Sequence, residues 1–138
     1  MPHIPAFITV TVLAFAAPAA AQQTPPSDSE PVADGRKLSE WVADLKAPAP
    51  YSRNAAAYEI AGLGAAAAPA VSALIAALDD PEATVRYPVT VALREIGPAA
   101  KVAVPALKKL YEEDLNDEIA SSAKRAIKAI APEEMPRD

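Results

Sequence analysis

Side chains able to do chemistry are few in this chain, and their positions decide which chemistry is open. There is one histidine, His3, and no cysteine. His3 lies in an apolar N-terminal stretch, so a folded domain downstream has no imidazole to serve as a general base. Thiolate metal sites, disulfides and thiol nucleophiles are excluded outright. The best carboxylate group for a metal is Glu112, Glu113, Asp114, Asp117 and Glu118. Several carboxylate oxygens together suit Ca2+, but the glycine and alternating spacing of a calcium loop are missing. The preferred reading is that these acids solvate a turn. Asp117 and Glu118 then favour the positive end of a helix whose far end carries Lys124, Arg125 and Lys128. Paired carboxylates for glycoside chemistry need a cleft, and no position argues for one. The expectation is a chain with no catalytic residue, no metal and no cofactor.

The elements that position these residues are legible in one stretch, Asp79 to Gly97. Two acids and Pro81 mark the entry to a helix, and Val85, Val89, Leu93 and Ile96 then fall at spacings of four, four and three. That is an apolar stripe at helical period, ended by Gly97 and Pro98. Thirty-three residues earlier, Arg53 matches Arg86, Ile60 matches Leu93, Leu63 matches Ile96 and Gly64 matches Gly97. Thirty-four residues later, Ile119, Ala123, Ile127 and Ile130 repeat the stripe, and Pro132 matches Pro98. A period of this length belongs to a helical solenoid. Between these helices lie others, carrying Val71, Leu74, Ile75 and Leu78 and then Val104, Leu107, Leu110 and Tyr111. With Leu38, Trp41, Val42 and Leu45 at the start, six helices form three pairs. Pro105 falls at a helix start, where a missing N–H costs nothing. Pro88 falls several residues inside its helix and predicts a kink or a late start. Trp41, the only Trp, is read as closing the N-terminal end of the core, with a partner contact as the other possibility.

Composition bounds the rest. Half of the 138 residues are hydrophobic, much of that alanine, and aromatics are scarce. Such a chain favours closely approaching helices over sheets. A net charge of -5 argues against general affinity for nucleic acid or an anionic membrane surface. Residues 1–21 contain no Lys, Arg, Asp or Glu, and Ala19, Ala20 and Ala21 follow an apolar centre. They read as a secretory signal peptide cut after Ala21, and the protein as secreted or periplasmic. A membrane anchor is disfavoured, because Pro5 and Pro18 interrupt a run shorter than the roughly twenty residues needed to span. Residues 22–34 read as a disordered linker, 35–132 as the repeat domain and 133–138 as a flexible tail.

The residues themselves resemble the HEAT-repeat family, in particular short bacterial HEAT-like repeats grouped with phycobilisome-lyase domains. The segments LSEWVADLKAP, SRNAAAYEIAGLG, AVSALIAALDDP, TVRYPVTVALREIG and GPAAKVAVPALKKL carry the resemblance over roughly Leu38 to Pro132. It implies an all-α, right-handed α-solenoid of three antiparallel helix pairs. It also implies a turn aspartate paired with an arginine six residues on, tying units together. Asp80 and Arg86 have that spacing, whereas Ala47 and Ala120 leave Arg53 and Asp114 as half pairs.

In such arrays the second helix of each pair lines the concave side. Taking Ile60, Leu93 and Ile127 as buried, rotation of 100° per residue selects the opposite face. It holds Asn54, Tyr58 and Ala61, then Tyr87, Val91 and Arg94, then Ser121, Arg125 and Lys128. Tyr and Arg are favoured in interfaces. The expected function is a non-catalytic interaction or scaffold module of the cell envelope, monomeric, binding another protein or peptide with acidic character. The alternative is an accessory or lyase-like domain that assists an enzyme or binds a chromophore or metal.

Overall fold

The computed structural model describes residues 30–137, which form six α-helices in three antiparallel pairs behind a short β-hairpin. The helices are α1 (Leu38–Asp44), α2 (Pro50–Gly62), α3 (Val71–Ala77), α4 (Ala83–Ile96), α5 (Val104–Glu113) and α6 (Asp117–Ile130). Helices α2, α4 and α6 pack side by side, with α1, α3 and α5 behind them. The stripes read from the sequence face inward: Ile60, Leu93 and Ile127 are fully buried, as are Val85, Val89 and Ala123. Each valine, leucine or isoleucine among them contributes about 1.5–3 kcal/mol by leaving water. No helix among the described residues is long and apolar enough to cross a membrane.

Gly64 and Gly97 end α2 and α4 with φ of +56° and +77°, values that a side chain at Cβ would oppose. After each glycine the chain does not pass straight into an α-helix. Gly64–Ala70 and Gly97–Ala103 are 3₁₀ turns that bury Ala67, Ala70, Ala100 and Ala103. Alanine at these places lets neighbouring units approach closely. Pro69 lacks the N–H that an α-helical bond would need, consistent with the tighter turn. Pro105 stands at the start of α5 as expected. Helix α4 begins at Ala83, five residues before Pro88, so of the kink or late start expected from that proline the late start does not occur.

The folded unit starts earlier than Gly35. Val32–Ala33 pairs antiparallel with Arg36–Lys37 through Asp34 and Gly35, both at positive φ, the geometry an Asp-Gly hairpin turn requires. The linker boundary at Asp34 is corrected accordingly; the signal peptide expected over residues 1–21 and the linker over 22–29 lie outside the described residues. The hairpin sits over Trp41, which is 7 % exposed and donates from Nε1 to the Ala33 carbonyl at 2.9 Å. Arg36 stacks 4.0 Å from the ring centroid. The Glu30 carboxylate accepts from the Ser39 amide and hydroxyl at the start of α1. Trp41 therefore closes the N-terminal end of the core. At the other end, the tail is docked where a flexible segment was expected. Pro132–Glu134 forms a 3₁₀ turn, Glu133 meets Lys101 at 3.0 Å, and Glu134 meets Lys108 at 3.4 Å.

Neighbouring pairs are tied by arginine–aspartate contacts, in a register other than the one the resemblance implied. The Asp80 carboxylate pairs with Arg53 of the preceding unit, at 2.7 and 3.1 Å, not with Arg86. Arg86 reaches forward to Asp114 at 2.8 and 3.3 Å. Each guanidinium also clamps the turn of its own unit. Arg53 donates to the carbonyls of Ala47 and Pro48, and Arg86 to those of Asp80 and Pro81. The six-residue spacing thus places arginine against backbone carbonyls. Asp80 and Asp114 are held toward the preceding unit because each also accepts the amide two residues on, from Glu82 and Asn116 at 2.9 Å.

Burial pushes both carboxyls up. Arginine hydrogen bonds, the turn amides and the guanidinium charge outweigh it, and both stand below the ordinary value. A depressed folded pKa means the native protein binds fewer protons than the unfolded chain, so this stability is complete above about pH 4 and is lost as pH falls through the folded value. The Asp114 side chain is only 3 % exposed. Replacing Asp114→Ala should cost about 2–3 kcal/mol in urea unfolding at neutral pH, by leaving a half-buried arginine unpaired. A pH series below about pH 4 should show native protein losing stability more steeply than an Asp80→Asn, Asp114→Asn variant.

Candidate functional site

The second helices present the side chains expected of a binding face, but the structure divides them. Asn54, Tyr58 and Tyr87 come together with Thr84, Asn116 and Glu118 around a groove of about 340 Å³. Tyr58 is 48 % exposed and Tyr87 half-buried. Val91 and Arg94 do not line this groove. Val91 packs against the core, and Arg94 is engaged by its neighbour Glu95 at 3.0 Å. Arg125 and Lys128 line a different recess, of about 470 Å³, with Tyr111, Ser121, Lys124 and Met135. Ala61, placed on the outer face by rotation alone, is buried at 9 % exposure.

Asn54 has a structural task that helical spacing does not announce. Pro88 has no N–H, so the α-helical partner of the Thr84 carbonyl four residues earlier is missing. The Asn54 side-chain amide, reaching across from α2, donates to that carbonyl at 2.5 Å. The proline's lost bond is replaced from the neighbouring repeat. A second polar link joins α4 to α6: the Thr90 and Ser122 hydroxyls are buried 2.6 Å apart, and Thr90 also bonds the Tyr87 carbonyl. With Thr90 donating to Tyr87, Ser122 is left to donate to Thr90, and both hydroxyls are satisfied.

Groove residues that the sequence reading did not place there include Thr84 in the first turn of α4 and Asn116 and Glu118 at the start of α6. Asn116 caps that helix, its Oδ1 accepting the Glu118 and Ile119 amides at 3.0 and 3.3 Å. The signal was present, since Asn before a helical stripe is a favoured N-cap. Its nearness to Tyr87 depends on how two repeats stack. The acid group around it is dispersed by the same turn, Asp114 facing Arg86. No group of three or more His, Cys, Asp or Glu able to hold a metal occurs among the described residues. A further recess of about 410 Å³ lies beside the arginine–aspartate contacts, between Ile75, Leu78, Leu110 and Leu115. Its two shifted carboxylates are bonded to arginine and turn amides, so neither is placed to act as a base.

Stacked helix pairs with side chains displayed along their second helices define an α-solenoid repeat protein. A family model for HEAT repeats matches residues 38–128, and the chain belongs to the HEAT-repeat family. HEAT repeats generally mediate protein–protein interaction or scaffolding, and the family is generally non-catalytic. Comparison with curated proteins finds no match.

The role of Asn54 can be separated from binding. Replacing Asn54→Ala should destabilise the domain by about 0.5–1 kcal/mol in chemical denaturation, the net contribution of a hydrogen bond to a carbonyl that water can reach. In a Pro88→Ala background, which restores the missing N–H, the same change should cost clearly less. Equal losses in the two backgrounds would dissociate Asn54 from the proline.

Proposed function

We propose that this chain is a non-catalytic protein-binding module of the cell envelope, taking a segment of a partner in the groove between Tyr58 and Tyr87. The observation that carries the reading is the exposed Tyr58 beside Tyr87 on adjoining second helices, flanking a recess of about 340 Å³. In HEAT arrays this side is concave. Tyrosine supplies broad apolar contact and a hydroxyl at low cost in side-chain entropy, which suits recognition of a peptide surface. Asn116 and Glu118 add polar groups at one wall, and Arg94 lies further along α4. Loss of Tyr58 and Tyr87 together, by Tyr58→Ala and Tyr87→Ala, should lower recovery of a cross-linked partner by about tenfold or more with helicity unchanged. Undiminished recovery would move the binding surface elsewhere.

The envelope location rests on residues 1–21, whose uncharged apolar run and closing alanines suit export. Mass spectrometry of the exported protein should find Gln22 at its N-terminus. A chain retained with residues 1–21 attached would contradict the location's stated basis.

A further inference from the structure

The recess holding Arg125 and Lys128 is separate from the tyrosine groove, and the repeat register gives it a meaning. Ser121, Lys124, Arg125 and Lys128 lie on one face of α6, at spacings of three, four and seven. Thirty-four residues earlier the corresponding positions on α4 are Tyr87, Thr90, Val91 and Arg94. Thr90 is the residue that α6 buries, through its bond to Ser122. Lys124 therefore occupies the position at which a following repeat would be received. Ala120 stands where Arg53 and Arg86 reach forward from the other second helices, so no arginine extends to a further turn. Helix α6 thus lacks the arginine that links one unit to the next, and its far face is left uncovered by the described residues.

That face is cationic on a chain of net charge -5. Lys124 lies 5.4 Å from the Tyr111 ring centroid, while Arg125 and Lys128 are exposed, with no ion pair to a carboxylate among the described residues. Tyr111 and the docked Met135 contribute apolar surface to the same recess of about 470 Å³. We propose that this end face docks an acidic segment of a partner protein, with Arg125 and Lys128 engaging its carboxylates and Tyr111 and Met135 receiving an adjoining apolar side chain. Guanidinium matches carboxylate geometry in two parallel hydrogen bonds. Three cations are too few to hold an extended polyanion by counterion release, and the acidic remainder of the chain repels nucleic acid or an anionic bilayer. An apolar floor beside the cations favours a peptide over a free anion.

The proposal is independent of the tyrosine groove, and one titration separates them. The probe is a short fluorescein-labelled peptide of glutamates around one phenylalanine, with a glutamine twin, read by anisotropy on the full chain at low ionic strength. The glutamate peptide should bind, weaken with salt, and lose about tenfold or more in affinity with Arg125→Glu and Lys128→Glu, the factor for losing a charge-assisted bond. Tyr87→Ala should leave its affinity unchanged. Equal binding of the glutamine twin, equal displacement by inorganic phosphate, or loss with Tyr87→Ala but not with the charge reversal would each overturn the proposal. So would a mass by light scattering that rises with concentration and falls on charge reversal, because the face would then belong to a second copy. Should the reversed variant lose helicity, Arg125→Gln with Lys128→Gln makes the same test without added acids.

Discussion

Arg53 with Asp80, and Arg86 with Asp114, are the contacts through which three helix pairs become one body. Each arginine is shared between two units: one edge of the guanidinium holds the carbonyls of its own turn, and the other holds the carboxylate of the next. The carboxylate in turn fixes the amide of the residue that precedes the following helix. Few hydrogen-bonding groups in the network are left over. That matters because a half-buried ion pair is favourable only when desolvation is offset by good geometry and full satisfaction. The pair also sets register. Hydrophobic stripes of alanine, valine and isoleucine can slide against each other at modest cost, whereas a bidentate arginine cannot shift by one residue without losing its partners. The network needs one fewer link than there are units, and Ala47 and Ala120 occupy the two positions where a further link would begin or end.

Against this frame, the other polar contacts between repeats repair local departures from a regular helix. Pro88 removes a backbone donor inside α4, and Asn54 replaces it from α2. Thr90 and Ser122 satisfy each other in the otherwise apolar seam between α4 and α6. The two seams thus differ in chemistry while sharing a geometry. Their surfaces differ too: the α2–α4 side carries tyrosines, whereas the far side of α6 carries cations. A short solenoid can in this way offer two unlike faces, one along its length and one at its end.

The ends are built differently because each meets a different problem. At the start, a hairpin turned by Asp34 and Gly35 covers Trp41 and satisfies its indole N–H. At the finish, α6 turns charge outward and the chain folds back through Pro132–Glu134, held by exposed ion pairs that contribute little each. Met135 then packs against the core beside Tyr111. Solenoids need such polar or covered ends, since an uncovered apolar repeat face would continue to stack.

The sequence by itself determined the helices, their pairing and their buried faces, because the apolar period is local and repeated three times and the glycine stop twice. Val85, Val89, Leu93 and Ile96 were legible as core from spacing alone, and Gly97 as the stop. The family resemblance, not the spacing, pointed to arginine and aspartate as the linking residues. Only the tertiary structure decided which arginine meets which aspartate. Spacing within one repeat cannot report a contact that spans two, and the carboxylate is turned away from Arg86 by its own turn amide. The same reason governs the surface. Rotation about one helix placed Asn54, Val91 and Arg125 on a common stripe, but neighbouring helices assigned the first to a proline's orphaned carbonyl, the second to the core margin and the third to a separate end face.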